Sequence, residues 1–331
     1  MPTGLATVFK ILLYFCSHYQ VYPDIYRSVM QNKHLSERVL VTGMVVSMCM
    51  WGLSWPSNKF LTHYCSPVNF VIYRYIIVTA TLLPILLFTG TSIRMKKKGM
   101  PVILITGIML GLYSYLFFQG LRHGSAGAGG VLVTTLNPIM SYFISIVLSK
   151  RLPSKNESIG LILGVIAGCC LLKVWDKPGT VFETGNFYFL LSAFTWAAMS
   201  KLTARGHLYG TSMGFSLWQY LVSLFCLVPL MNMHEFVAIV YIKDPLFWLN
   251  LFFGSAIVTT LATTMYFYTT TRLGAEKASS FIFLVPFAAA FSAWAFLGEH
   301  ILPHTIAGGV LGMIAVYMIN KRRHEIIVEP E

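Results

Sequence analysis

The chain has 331 residues, of which 56% are hydrophobic and only 11% carry a charge. With a mean hydropathy of +0.67, this composition excludes a soluble globular domain and predicts an all-α protein that crosses the bilayer many times. The net charge of +12 does not indicate nucleic-acid binding, because no binding motif accompanies it and the basic residues are spread between apolar stretches.

Long apolar runs bounded by charge, Gly or Pro predict ten transmembrane helices joined by short loops, since a helix needs about 20 apolar residues to cross the bilayer. Residues 1–38 are predicted to be a cytoplasmic N-terminal segment and residues 321–331 a cytoplasmic tail. The predicted spans are residues 39–61, 68–89, 100–121, 126–149, 158–175, 186–206, 212–231, 246–271, 277–297 and 303–320.

The basic residues indicate how these spans are oriented. When loops are assigned alternately to two sides, 18 of the 24 Lys and Arg residues fall on the side of both termini and four on the other, while Lys59 and Arg74 lie within spans. The positive-inside rule therefore predicts a protein of the cell (inner) membrane with both termini in the cytoplasm. For the apolar stretch Leu5 to Cys16, an interfacial segment, a cleaved signal peptide and a later start at Met30 remain open.

Two halves of the chain show a repeat. The matched pairs, at offsets of 145 and 148, are Trp51 with Trp196, Arg74 with Gln219, Pro84 with Pro229, Pro138 with Pro286, Arg151 with Glu299, Gly160 with Gly308 and Gly164 with Gly312. They predict two five-helix repeats, residues 39–175 and 186–320. Because five is odd, the second repeat enters the membrane from the opposite side, which makes the repeats inverted.

Several of these motifs resemble the EamA-type members of the drug/metabolite transporter superfamily. They are Trp51-Gly52, Arg74, Asn137-Pro138, Lys150-Arg151-Leu152, the Gly-spaced fifth span, and the series Pro286, Gly298, Glu299, Gly308 and Gly312. The resemblance covers about residues 39–321. It implies a ten-helix fold with a central cavity walled by spans 1–4 and 6–9, and amino acids and related metabolites as the default substrates. Arg151 stands where the family usually has Glu, whereas Glu299 keeps the acid in the second half.

Polar and aromatic residues within the spans are the candidate site. In the first span Trp51, Trp55 and Asn58 share one helix face, and in the eighth Thr259, Thr263, Tyr266 and Thr270 do the same. Such stripes should face protein or a water-filled cavity, although the Thr hydroxyls could bond their own helix and the rings could fill the bundle. The predicted substrate-binding residues are Trp55, Asn58, Arg74, Tyr115, Gln119, Asn137, Trp196, Gln219, Thr263 and Tyr266.

Two cations within the spans need an explanation, because charge in the bilayer is disfavoured unless it is solvated or paired. Lys59 lies near a helix end, where snorkelling to the headgroups is favoured over a ligand role. Arg74 lies deeper, and two interpretations stay open for it: a structural tie to carbonyls, or a bond to a substrate carboxylate or phosphate.

The acidic residues indicate a coupling mechanism by their positions. All twelve fall in loops, at chain ends or at the first residue of a span, whereas proton-coupled carriers commonly titrate a group within the membrane. A substrate exchanger or facilitator is therefore favoured. Pro138 and Pro286 are predicted to mark helices that bend or gate, and no cofactor or metal site is predicted.

Glycines at spacings of four mark the fifth and tenth spans: Gly160, Gly164 and Gly168, and Gly308 and Gly312. Such faces let helices approach closely. The glycine faces are predicted to pack either onto the bundle or between two protomers of a homodimer.

We therefore predict a carrier of small organic metabolites, amino-acid-like by default, that works by alternating access. The alternative within this class is exchange of S-adenosylmethionine for S-adenosylhomocysteine, since aromatic rings suit adenine and a sulfonium. A membrane-embedded enzyme is disfavoured because no HExxH, GxSxG or Asp-rich pair occurs. A structural scaffold is also disfavoured, because it has no need for the two exchangeable halves of an inverted repeat. A channel is the less favoured alternative and would be revealed by conductance too fast for a carrier.

Overall fold

Helices build the structure, a computed structural model that describes residues 37–150, 152–203, 206–266, 269 and 281–321. Within these ranges no strand occurs. The helices are α1 (Glu37–Leu61), α2 (Pro67–Phe88), α3 (Met100–His123), α4 (Ala126–Ser149), α5 (Lys155–Leu172), α6 (Thr184–Thr203), α7 (Ser212–Leu227), α8 (Met233–Val240), α9 (Pro245–Phe252), α10 (Leu284–Leu297) and α11 (Pro303–Lys321). The prediction for Leu5 to Cys16 lies outside the described residues.

Seven helical segments are long and apolar enough to cross a membrane: Arg38–Leu61, Pro67–Phe88, Lys97–His123, Ala126–Val147, Lys155–Leu172, Ser212–Leu230 and Pro245–Tyr266. Two shorter apolar helices, Phe281–Leu297 and Pro303–Ile319, follow them. The helix α6 coincides with the predicted sixth span but is not among the seven. The structure therefore confirms an all-helical, multi-pass membrane protein over the described residues, while the count of ten crossings stays a prediction.

Helix α5 begins and ends at residues other than those of the predicted apolar span, and its caps explain the difference. Ser154 accepts a bond from the Glu157 backbone N–H at 3.5 Å, and the Glu157 carboxylate accepts one from the Ser154 N–H at 2.6 Å. This capping box starts the helix at Lys155, three residues before the predicted span. Lys173 adopts a left-handed backbone with φ of 51° and ends α5 at Leu172, before the predicted end at residue 175.

The first half of the chain (α1–α5) packs against the second half (α6–α11) along most of its length. Helix α1 packs on α10, α3 on α6 and α7, α4 on α6 and α10, and α5 on α11. Gly52 permits the α1 contact, because a Cβ there would lie 2.7 Å from the Ala288 backbone carbon. The core is therefore shared between the halves.

The glycine faces of α5 and α11 are filled within one chain. A Cβ at Gly160 would lie 2.6 Å from Ile319 Cγ1, and one at Gly308 would lie 2.6 Å from Leu171 Cγ. The two glycine rows thus let α5 and α11 approach each other, which agrees with packing onto the bundle. A homodimer through other faces of these helices stays a prediction.

Candidate functional site

Arg74 lies at the centre of the candidate site. Its side chain is half-buried among the helices, where Nη1 donates to Asn58 Oδ1 at 3.1 Å and Nη2 donates to Thr259 Oγ1 at 2.7 Å. The guanidinium also lies over the Phe118 ring, 5.6 Å from its centroid. Helices α1, α2 and α3 and the segment after α9 therefore meet at this one cation.

The partners of Arg74 are neutral. Among the described residues no carboxylate forms an ion pair with it, and Tyr75, Tyr113 and Tyr220 are the groups close enough to interact with its charge electrostatically. A cation inside a membrane protein is costly unless it is solvated or paired. The arrangement suits a bound anion, such as a carboxylate or phosphate, that supplies a counter-charge.

A π-helix positions Thr259 beside Arg74. The chain continues after α9 as a π-helix over Phe253–Ala262, and the Thr259 hydroxyl donates to the Gly254 carbonyl five residues earlier at 2.7 Å. A Cβ at Gly254 would lie 3.1 Å from Asn58 Oδ1, so a larger residue there would crowd the Asn58 side chain that binds Arg74. π-Helical turns are rare in proteins and are frequently found at functional sites.

The aromatic rings beside this site form two layers that differ in exposure. Trp55, Phe117 and Phe189, 5%, 7% and 1% exposed, form a buried layer called here the aromatic plug. The Trp55 ring centroid lies 4.8 Å from that of Phe117 and 5.9 Å from that of Phe189. Tyr113 and Trp196 form a second pair with centroids 4.7 Å apart, and both side chains keep accessible surface.

Three predicted site residues have hydrogen-bond partners other than Arg74. The Gln119 side-chain amide donates to the Tyr115 hydroxyl at 2.9 Å, and both residues continue the exposed stripe of Ile108 and Leu112 on α3. Gln219 is 5% exposed and donates to Thr203 Oγ1 at 2.9 Å, which ties α7 to α6. Their roles in substrate binding stay predictions.

Asn137 and Thr263 occupy different polar environments. The Asn137 Oδ1 atom is buried without a hydrogen-bond partner in the described structure. The Thr263 hydroxyl donates to the Val258 carbonyl of its own helix at 3.4 Å. Thr270, predicted on the same face as Thr263, lies outside the described residues.

The remaining predicted residues are one ring and two prolines. Tyr266 is half-buried and its ring centroid lies 5.6 Å from that of Trp51. Pro138 lies in the interior of α4, and Pro286 is the third residue of α10. The two prolines therefore hold different helical positions, and their gating role stays a prediction.

Lys59 and Glu299 meet at the turn between α3 and α4. Lys59 Nζ donates to the carbonyls of Leu121 and Gly124 at 2.5 and 2.7 Å, where it complements the negative end of α3. It thus binds backbone carbonyls of the protein, in place of the headgroups to which snorkelling was favoured.

Glu299 accepts bonds from Ser125 Oγ, Ala126 N and Gly127 N at 2.5, 2.8 and 2.7 Å, at the positive end of α4. This carboxylate therefore joins the second half of the chain to the first.

Two further carboxylates join the two halves of the chain at the same end of the bundle as Glu299. This end is called here the outer face, because the distribution of Lys and Arg predicts that it lies outside the cell. The Glu235 carboxylate on α8 accepts bonds from Ser66 Oγ at 2.5 Å and from Asn69 Nδ2 at 2.7 Å. Tyr64 donates to Asp244, and this bond holds the pKa of Asp244 below its ordinary value of 3.8. Helix α8 is thereby fastened over the loop between α1 and α2.

Comparison with known proteins identifies the family. The model of the EamA-like transporter family matches residues 39–173 and 183–321. The chain belongs to this family.

Two relatives illustrate its similarity to named transporters. The chain is 26% identical to the uncharacterized transporter YvbV of Bacillus subtilis (strain 168) over 283 residues, which cover 82% of this chain and 88% of that protein. It is 24% identical to the pseudopaline exporter CntI of Pseudomonas aeruginosa over 250 residues, which cover 73% of this chain and 83% of that protein.

A solved crystal structure also matches, with a TM-score of 0.50 and 15% identity over 86% of this chain and 97% of that chain. At this identity the match shows the fold alone. Together with the apolar helices, the family and its relatives show that the chain is a multi-pass membrane transporter.

Sequence reasoning missed part of the site of this EamA-like transporter. Tyr75, Tyr113 and Tyr220 interact electrostatically with Arg74, but tyrosine within an apolar span does not stand out from core residues. Thr259 belongs to a polar stripe predicted with 3.6 residues per turn, but it is not among the predicted binding residues. The π-helix around it could not be expected from composition.

Proposed function

We propose that this EamA-like transporter is a secondary carrier of small organic metabolites that bear a carboxylate or phosphate, amino-acid-like metabolites included, and that Arg74 binds this anionic group. The observation that carries the proposal is the hydrogen bonding of Arg74 to the neutral side chains of Asn58 and Thr259. Hydrogen bonds from a guanidinium to an anion are strong and directional.

We further propose ten membrane crossings in two inverted repeats that alternate access to this site. Support comes from the two family matches, residues 39–173 and 183–321, and from the odd number of predicted spans in each. In this arrangement both termini face the cytoplasm and the site lies near the middle of the bilayer. The name of the relative CntI favours export as the direction to test first.

The mode of coupling that we propose is substrate exchange or facilitated movement. Support comes from the positions of the acidic residues, none of which was predicted inside a span beyond its first residue. In proteoliposomes, a pH gradient alone should therefore leave substrate unaccumulated, whereas substrate on the opposite side should speed uptake. Accumulation driven by the pH gradient would contradict this mode.

Substitution of Arg74 by Gln, the residue at the matched position of the second half, tests the anion site. Purified protein would first be screened by thermal shift against amino acids, adenosyl compounds including S-adenosylmethionine, nucleotides and vitamins, since a bound ligand raises the melting temperature. We expect Arg74→Gln to weaken binding of the hit at least about tenfold, because a hydrogen bond to a charged group contributes about 1.5–3 kcal/mol.

Arg122→Gln is the matched control, because Arg122 is exposed at the end of α3. It should bind the hit like the wild type. Unchanged affinity and exchange in Arg74→Gln would show that Arg74 has a structural role only.

A further inference from the structure

Trp196 faces the inside of the bundle and yet is 36% exposed. On α6 the exposed stripe consists of Phe187, Leu191 and Phe194, which are spaced by four and three residues and therefore share one face. Trp196 lies two residues after Phe194, about 200° around the helix, on the side of the buried Phe189. The exposed surface of Trp196 therefore lies on the side of α6 that packs against the other helices of the bundle.

Tyr113 completes this internal surface. Its ring centroid lies 4.7 Å from that of Trp196, and the two planes meet at 52°. The rings are thus tilted, and each leaves one face uncovered by the other. In the aromatic plug, by contrast, the rings are at most 7% exposed. Tyr113 and Trp196 are therefore placed to bind a ligand, whereas the plug fills the core.

The Tyr113 and Trp196 pair lies next to the anion site. Tyr113 is close enough to Arg74 for the phenol group and the guanidinium to interact electrostatically. The Tyr113 ring also lies 5.9 Å from that of Phe117, which contacts the Phe118 ring under Arg74. A small molecule held by Arg74 would thus bring its remaining atoms to this pair.

We propose that Tyr113 and Trp196 bind a flat aromatic ring of the substrate, so that the carrier selects carboxylates with an aromatic body over aliphatic ones. This inference rests on the proposed function, since it requires Arg74 to hold the carboxylate. Stacked or edge-to-face ring pairs contribute about 0.5–1.5 kcal/mol beyond their buried area. That contribution corresponds to a preference of about two- to tenfold for the aromatic ligand.

Two acids with the same carbon skeleton test this inference on the purified full-length protein. Phenylacetate has a flat ring and cyclohexylacetate a puckered one, and phenethylamine has the flat ring without a carboxylate. Titration by thermal shift should give phenylacetate an affinity about two- to tenfold higher than that of cyclohexylacetate. Phenethylamine should not bind measurably.

Two substitutions on α6 test whether Trp196 causes the preference for phenylacetate over cyclohexylacetate. Trp196→Leu should bring the ratio of the two affinities to about one while both acids still bind. Phe194→Leu, on the exposed stripe of α6, should keep the wild-type ratio. If Trp196→Leu does not fold, Tyr113→Leu replaces it with the same expected result, and the wild-type ratio remains decisive on its own.

The outcomes separate the two proposals. Equal binding of the two acids by the wild type, or an unchanged ratio in the folded Trp196→Leu variant, would overturn the aromatic site and leave Arg74 as the anion site. Binding of phenethylamine as tightly as phenylacetate, or of neither acid, would overturn the carboxylate requirement and the aromatic site together.

Discussion

The role of Arg74 depends on the side chains that surround it. Within an apolar span its charge demands an explanation, and the two interpretations, a tie to carbonyls or an anion site, differ only in the partners. The structure supplies an amide oxygen and a hydroxyl, which orient the guanidinium without neutralising it. An anionic ligand would complete these interactions.

The thiol of Cys65 is predicted to be unreactive in the folded protein. It is 6% exposed in the loop after α1, where burial, assisted by the charge of Glu235, raises the pKa of its thiol to about 12. Because the thiolate is the reactive form, maleimide should label Cys65 at pH 8 only after unfolding, as measured by peptide mass spectrometry. Rapid labelling of the native protein would contradict this.

The same raised pKa has a consequence for stability. The folded thiol stays neutral while the unfolded thiol ionises above its ordinary pKa of 9.0. The contribution of Cys65 to stability is therefore complete below pH 9.0 and is lost as the pH rises toward 12. Cys65→Ser should flatten this alkaline loss in thermal melts.

At the scale of elements, the contact between α5 and α11 depends on glycine. A Cβ at Gly160 would lie 2.8 Å from the Ala315 carbonyl oxygen, a backbone atom that cannot move aside. Gly160→Ala should therefore destabilise the protein by about 1–3 kcal/mol and lower its melting temperature in detergent. Gly168→Ala is the matched control, because its Cβ would meet nothing nearer than Leu136 Cδ2 at 3.5 Å. Equal melting temperatures would show that the glycine row is not needed.

At the scale of the whole molecule, Glu299 helps to hold the two halves together. Glu299→Gln removes the charge that binds the first turn of α4. Amide hydrogens at the start of α4 should then exchange with deuterium about tenfold faster, since hydrogen bonds to a charged group contribute about 1.5–3 kcal/mol.

The control for this variant is Asp176→Asn. It breaks the exposed pair of Lys173 and Asp176, which lies just beyond α5. Exchange at the start of α4 should not change in this control. Identical exchange in Glu299→Gln and the wild type would show that the carboxylate is dispensable at the outer face.

Much of the helical layout could be predicted because bilayer thickness sets the length of an apolar run. Arg74 could be chosen as a candidate site residue from the sequence because charge is rare within an apolar span. Asn58 could be chosen because it lies on a polar helix face. The bonds of Glu299 and the short helix α8 could not, since they depend on loops that meet only in the folded chain. The π-helix at Thr259 also escaped prediction, because the side-chain pattern assumed a regular turn.

The carboxylates of the outer face also bear on how the carrier behaves from its two sides. Glu235, Asp244 and Glu299 all belong to the second half and bind groups of the first. In the alternating carrier proposed above, separation of the halves at this face would break these bonds. In an alternating carrier these bonds lower the resting population that is open outward. A ligand arriving from outside binds only that population, and its apparent Kd rises by the same factor. One chemical site is thus expected to show weaker apparent affinity from outside than from inside.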